Sequence, residues 1–194
     1  MSDIAAYIAR FAAPPPEQVA AFLAAGRPRV LAAGQDFCAA GQRNHELAFI
    51  HHGIVRYYVT LPDGTDSTKD FSFAGSFTVS FGSAVTGRPA AVAIAAVAPC
   101  RMTVWPFRTL QDLYARDIAW QAFGRRVAEL LYVRKEQREI AFLLDDAETR
   151  YRAMLRRFPP ELAAIPQYYL ASYLGIRPQS LSRLRKKMAA DEPG

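Results

Sequence analysis

The stretch from Pro166 to Met188 restricts the fold of this chain more than any other. Pro166 sits where proline is welcome, at the first turn of a helix. That helix runs to Leu174 and places Leu170, Ala171 and Leu174 on one face, with Ala171 small enough for a second helix to cross closely. Gly175 supplies the left-handed residue that ends it, and Ile176 plugs the corner. Pro178 opens a second helix whose buried face is Leu181, Leu184 and Met188, at i, i+3 and i+7. Two short helices joined by a glycine corner make a helix-turn-helix. The plain alternative is a helical hairpin with a solvated basic face.

The outer face of the second helix carries Gln179, Ser180, Arg183, Lys186 and Lys187. A helix inserted in the major groove of duplex DNA presents such residues to base edges and phosphates. Gln pairs bidentately with adenine and Arg with guanine, so Gln179, Ser180 and Arg183 are the expected base contacts. Gln167, Tyr168, Arg177, Arg185, Lys186 and Lys187 are the expected phosphate contacts, which give affinity and register without sequence information. Arg177 is awkward, since it stands at the N-cap, where Ser or Thr is favoured. Charge agrees with this division of labour. Residues 147–194 carry nine Lys/Arg against four Asp/Glu, whereas residues 1–146 carry fifteen against fourteen. A small basic domain beside a neutral one is the footprint of a nucleic-acid binder.

Upstream, Pro14-Pro15-Pro16 interrupts two short helical patterns within residues 4–25. From Arg29 to Trp105, short runs rich in Val, Ile, Phe, Tyr and Thr alternate with turn residues. Ala48–Ile50, Ile54–Thr60 and Thr68–Phe73 are expected strands. Leu61-Pro62-Asp63-Gly64-Thr65 is a hairpin loop, with Asp-Gly supplying positive φ angles. Gly34, Gly41, Gly53, Gly75, Gly82 and Gly87 recur at strand-plus-turn intervals, which suggests a small barrel or sandwich. Phe107–Tyr114 is a short helix. Ile118–Leu144 is a long one, roughly 40 Å at 1.5 Å per residue. Its stripe of Trp120, Phe123, Val127, Leu130 and Leu131 exceeds what one small barrel covers, and dimerisation along it buries the rest. Phe123, Val127, Leu130, Leu131 and Ala141 are the expected dimer contacts. Asp145-Asp146 marks a hinge, and either aspartate can cap the next helix, Ala147–Phe158, which Pro159-Pro160 ends. Three domains follow: 1–117, a barrel; 118–145, dimerisation helix and hinge; 146–194, the DNA reader. Cys38 and Cys100 have no metal or disulfide spacing. With no basic n-region near Asp3, and no apolar run longer than Ala90–Ala98, a cytoplasmic protein is expected.

The stretch Ile165-Pro166-Gln167-Tyr168-Tyr169-Leu170-Ala171-Ser172-Tyr173-Leu174-Gly175-Ile176-Arg177-Pro178-Gln179-Ser180-Leu181-Ser182-Arg183-Leu184 resembles the DNA-reading helices of the Crp/Fnr family of bacterial transcription regulators. The order of barrel, long helix, hinge and reader resembles that family over almost the whole chain. The resemblance implies an α+β fold: an N-terminal β-roll or jelly-roll barrel of the cyclic-nucleotide-binding type with flanking helices, a long dimerisation helix and a helical C-terminal reader. It further implies a homodimer that binds a palindromic DNA site, with RNA polymerase as a further partner. Its implied effector pocket comprises Gly75, Ser76, Phe77, Arg88, Ala90 and Ala91, with Arg134 or Gln137 from the long helix. Family members that bind cyclic AMP use a Gly-Glu pair and a later Arg-Ser or Arg-Thr. This chain has Gly75-Ser76 and Ala90-Ala91 as the corresponding pairs, and Arg88 is two residues off register. A phosphate buried without a partner is costly, so no cyclic AMP binding is expected. The cysteine cluster of the iron–sulfur members is absent, no cofactor is expected, and the full β-hairpin wing that many members carry is not expected.

Two other readings compete. Cupin enzymes share this kind of barrel, and His45, His51 and His52 lie near Glu46, but the His-x-His spacing is missing and surface or turn histidines explain them. No nucleophilic triad, phosphate loop or dinucleotide fingerprint occurs, so nothing argues for an enzyme. The remaining reading is a small-molecule-binding barrel whose basic domain contacts proteins.

Overall fold

The computed structural model describes residues 3–191. The expected domains 1–117 and 146–194 extend onto residues 1–2 and 192–194, which lie outside the described residues. Two helices come first, α1 (Asp3–Ala9) and α2 (Pro16–Ala24), with Pro16 in the first turn of α2. Eight strands and one short helix follow: β1 (Arg27–Leu31), β2 (Asp36–Cys38), β3 (Glu46–His52), β4 (Ile54–Thr60), β5 (Asp66–Phe73), β6 (Ser76–Val79), α3 (Phe81–Thr86), β7 (Ala93–Ala96) and β8 (Cys100–Pro106). They form two four-stranded sheets, in the orders β1-β8-β3-β6 and β2-β7-β4-β5. The chain then turns helical: α4 (Phe107–Arg116), α5 (Ile118–Leu144), α6 (Ala147–Arg157), a 3-10 turn (Pro160–Ala164), α7 (Gln167–Leu174) and α8 (Pro178–Asp191).

The β4–β5 loop departs from the expected tight hairpin. Only Gly64 has positive φ, +81°. Asp63 keeps ordinary backbone angles and instead accepts hydrogen bonds from the Thr65 amide (2.9 Å) and hydroxyl (2.6 Å). Leu61 N–H donates to Thr65 O, so five residues close the loop. Gly82 also departs from the glycine rhythm, lying inside α3 rather than in a turn. The helix expected to reach Phe158 ends at Arg157.

The chain forms two compact units. One comprises residues up to Tyr57 together with Phe71–Arg134; the other comprises Tyr58–Asp70 together with residues from Lys135 on. The division therefore falls within α5 rather than at Asp145-Asp146, and the β4–β5 hairpin groups with the C-terminal helices.

In the first unit β3 buries both faces. Leu47 and Phe49 join an aromatic cluster with residues of α1, α2, α4 and α5, while Ala48 and Ile50 join the interior of the β-roll. That is the pattern side-chain alternation gives to an apolar run inside a sheet. Phe22 stacks on Trp105 with ring centroids 4.6 Å apart, and the Trp105 indole donates to Phe22 O at 2.7 Å. The β-roll interior is lined by Leu31, Val55, Ala90, Ile94, Met102 and Val104 among others.

In the second unit Tyr151, Met154, Leu162, Ile165, Leu170, Leu174 and Leu181 form the core. The hairpin is tied to α7. The Thr68 amide donates to Ser172 Oγ (2.8 Å), and the Ser172 hydroxyl donates to Asp66 O (3.3 Å). Arg157 pairs with Asp70 at 3.0 Å and donates to the Tyr173 hydroxyl. Arg138 donates to Tyr173 O (2.9 Å) and lies over the Tyr173 ring.

Candidate nucleic-acid interface

The reader forms for the local reasons its sequence supplies. Asp146 caps α6 by accepting from the Thr149 amide at 2.8 Å, which holds its carboxyl below the usual carboxylate range. Gly175 adopts φ +69°; its amide donates to Ser172 O and that of Ile176 to Ala171 O, closing the end of α7. A Cβ at Gly175 would stand 2.7 Å from the Phe142 ring, a 41% exposed side chain, so the positive φ is what favours glycine here. Ala171 and Leu181 are both fully buried where α7 meets α8.

With Leu181 at the centre of the buried face, a helical period puts Gln179, Arg183 and Lys186 on the opposite side of α8. All three are exposed and make no hydrogen bond or ion pair among the described residues. Ser180 and Lys187 lie to one flank. There they share with Arg183 a depression of about 480 Å³, whose other wall is Asp146, Ala147 and Glu148 at the start of α6. Lys187 is ion-paired to Glu148 at 2.8 Å. Gln167, Tyr168, Arg177 and Arg185 are exposed, and Tyr168 packs against Tyr169 with ring centroids 4.1 Å apart. Sequence reasoning missed the Glu148–Lys187 pair, whose partners are 39 residues apart. Only the i,i+4 spacing of Glu148 and Arg152 was visible.

The expected dimer stripe divides. Phe123 is only 4% exposed and packs against Phe11, Phe77 and Trp120, so it belongs to the chain's own core and is removed from the dimer contacts. Val127 packs against the same cluster, Leu130 and Ala141 are half-buried, and Leu131 is exposed. Beyond Leu131, α5 exposes Tyr132, Val133, Ile140, Phe142, Leu143 and Leu144, the last two by about four-fifths.

The expected effector pocket is not assembled by its eight residues. Gly75 lies in the β5–β6 turn, and Ser76 donates to Phe73 O within the same turn (2.6 Å). Phe77 faces the aromatic cluster, in contact with Tyr7, Phe49 and Trp105. Ala90 is buried in the β-roll interior, whereas Ala91, Arg88, Arg134 and Gln137 are exposed. The buried polar groups beside α3 are different ones. Ser83 donates to Arg88 O (2.7 Å) and accepts from the Asn44 amide (2.9 Å). Burial pushes the Cys38 thiol up, opposed by hydrogen bonding to Ser80 and Asn44. Deeper in, the Tyr57 hydroxyl meets that of Thr78 at 2.6 Å and that of Ser72 at 3.4 Å. Arg56 is a buried cation that sequence reasoning did not single out; strand alternation turns it away from the interior face of Val55 and Tyr57.

His45, His51 and His52 are exposed; His51 Nε2 lies 2.8 Å from Thr103 Oγ1, and Glu46 is engaged bidentately by Arg29. No cluster of three metal-ligating side chains occurs among the described residues. No helix among them is long and apolar enough to cross a membrane.

Residues 28–117 match the family model of the cyclic nucleotide-binding domain. No curated protein sequence matches the chain. Among solved structures it is similar to FixK2 of Bradyrhizobium japonicum, at 16% identity over 86% of this chain and 85% of that one, with a TM-score of 0.73. It is also similar to CLP of Xanthomonas campestris, described as a c-di-GMP-responsive global regulator, at 18% identity, 93% and 96% coverage and a TM-score of 0.68. The catabolite activator protein of Thermus thermophilus follows at 18% identity, 93% and 88% coverage and a TM-score of 0.55. By the domain match and these structures, the chain has the fold of the Crp/Fnr transcription regulators that its sequence resembles.

Proposed function

We propose that the chain is a sequence-specific, DNA-binding transcription regulator that works as a homodimer and does not respond to cyclic AMP. The observation that carries this reading is the outer face of α8. Gln179, Arg183 and Lys186 project from one side of a helix whose other side is anchored by the fully buried Leu181. Arg183 and Gln179 are one turn apart and reach the same groove as base contacts, with Ser180 beside them. Gln167, Tyr168, Arg177, Arg185 and Lys186 contribute backbone contacts. Dimerisation is supported by α5, which bears eight of the fourteen exposed large hydrophobics among the described residues. Exposed apolar area on this scale marks an interaction surface. RNA polymerase is the partner that a bound dimer would help or block.

The insensitivity to cyclic AMP rests on charge. Ser76, Ser80, Ser83, Ala90 and Ala91 offer neither a carboxylate for a ribose hydroxyl nor a cation for a phosphate. The test is selection of binding sites from a random duplex library, followed by mobility shift and sedimentation. A two-fold symmetric site with half-sites one helical turn apart is expected, bound by two chains. Recovery of no preferred sequence, or a monomer at concentrations that saturate DNA, would overturn the reading.

A further inference from the structure

One acid of the C-terminal basic region, Glu148, borders the outer face of α8. Glu148 Oε2 accepts from Lys187 Nζ at 2.8 Å, while Oε1 accepts from Arg152 at 2.9 Å. The Glu148 side chain is 25% exposed and that of Lys187 63%. Both line the depression that also holds Ser180 and Arg183.

We propose that Glu148 is a specificity-determining residue of the reader, which withholds Lys187 from the DNA backbone and so suppresses sequence-independent binding. The inference rests on the DNA-binding reading above. Glu148 lies 2.8 Å from Lys187 and 2.9 Å from Arg152, far inside the Debye length of about 8 Å at physiological salt, so an approaching phosphate meets a trio with one positive charge in excess rather than two cations. If the phosphate draws Lys187 away, it gains a cation but breaks that ion pair, leaving Glu148 to Arg152 alone. Either way the acid cancels one of the two positive charges that Lys187 and Arg152 bring to this point. Gln179 and Arg183, which face base edges, are untouched by the pair. Glu148 therefore lowers affinity for every sequence by a similar factor, and base contacts keep a larger share of what remains. The helix start also favours an acid here, which explains its position but not its link to Lys187.

The variant Glu148→Gln removes the charge at nearly constant shape in the first turn of α6. The measurement is the slope of log affinity against log salt, on a mixed-sequence duplex and on a selected site. The expected result is a slope steeper by about 1, the contribution of one added phosphate contact. Binding of the mixed-sequence duplex should strengthen several-fold at low salt, and the ratio of specific to non-specific affinity should fall. The double variant E148Q/K187A should restore the wild-type slope, with melting temperatures checking that each variant is folded. An unchanged slope in E148Q overturns the proposal, as does a steepening that persists in the double variant. If the wild-type protein retains neither duplex at any salt, the DNA reading itself fails and this inference with it.

Discussion

The β-roll and the C-terminal reader use polar side chains in opposite ways. Around α3 and in the roll interior, hydroxyls and amides bond to one another: Ser83 to Asn44 and Arg88, and Tyr57 to Thr78 and Ser72. On α8 the long polar residues point outward, with no partner among the described residues for Gln179, Arg183 or Lys186. Polar groups that satisfy each other inside a core specify packing; those held out on a helix leave their hydrogen-bonding capacity to solvent or to a partner such as the DNA proposed above. The comparison teaches that the fold alone does not locate the site of action. The domain matching the cyclic nucleotide-binding model bonds its polar groups internally, and the smaller helical unit exposes Gln179, Arg183 and Lys186.

Four measurements can break or sharpen that contrast. The largest effect is expected from Leu181→Ala, which empties a fully buried position between α7 and α8 and should cost about 2–5 kcal/mol. DNA binding should vanish while tryptophan fluorescence stays native, since both tryptophans, Trp105 and Trp120, are buried in the first unit. Next comes Arg183→Ala. It should lose about 1–3 kcal/mol on the selected site, roughly 5- to 150-fold, while weak salt-sensitive binding persists. Equal losses on all sequences would make Arg183 a phosphate contact. Ser83→Ala is expected to be comparable or smaller but in a different observable. It leaves Arg88 O and the Asn44 amide without their partner, destabilising the fold by about 1–3 kcal/mol with DNA affinity unchanged in the folded protein. The smallest effect is expected from cyclic AMP, which should not move the melting temperature. A ligand at a hundred times its Kd would add about 2.7 kcal/mol, so a clear upward shift would show that the roll is not closed to it.

Much of α7 and α8 was legible because their determinants are local. Proline at the start of α8, glycine at the end of α7 and apolar residues at helical spacing each act within a turn or two. The same holds for Ile118–Leu144, which has the bounds its apolar period set. The effector residues were not legible in this way. Gly75, Ser76 and Phe77 are neighbours in sequence, but strand alternation and a turn send them to different surroundings, and Phe77 ends among Tyr7, Phe49 and Trp105. Phe123 failed for a related reason. An apolar stripe says which side of a helix avoids water, not whether its cover is the same chain or a second one. The Asp63-Gly64 turn was half legible: glycine takes the positive φ, and the aspartate acts through its side chain.

The ties between Thr68, Asp70 and Asp66 on one side and Ser172, Arg138 and Arg157 on the other make the reader a discontinuous domain. A C-terminal fragment starting at Asp146 contains α6, α7 and α8 but strips Ser172, Tyr173 and Arg157 of the hairpin that pairs with them. In genetic terms the C-terminal unit cannot be moved to another protein as one contiguous exon-like block without leaving its segment Tyr58–Asp70 behind.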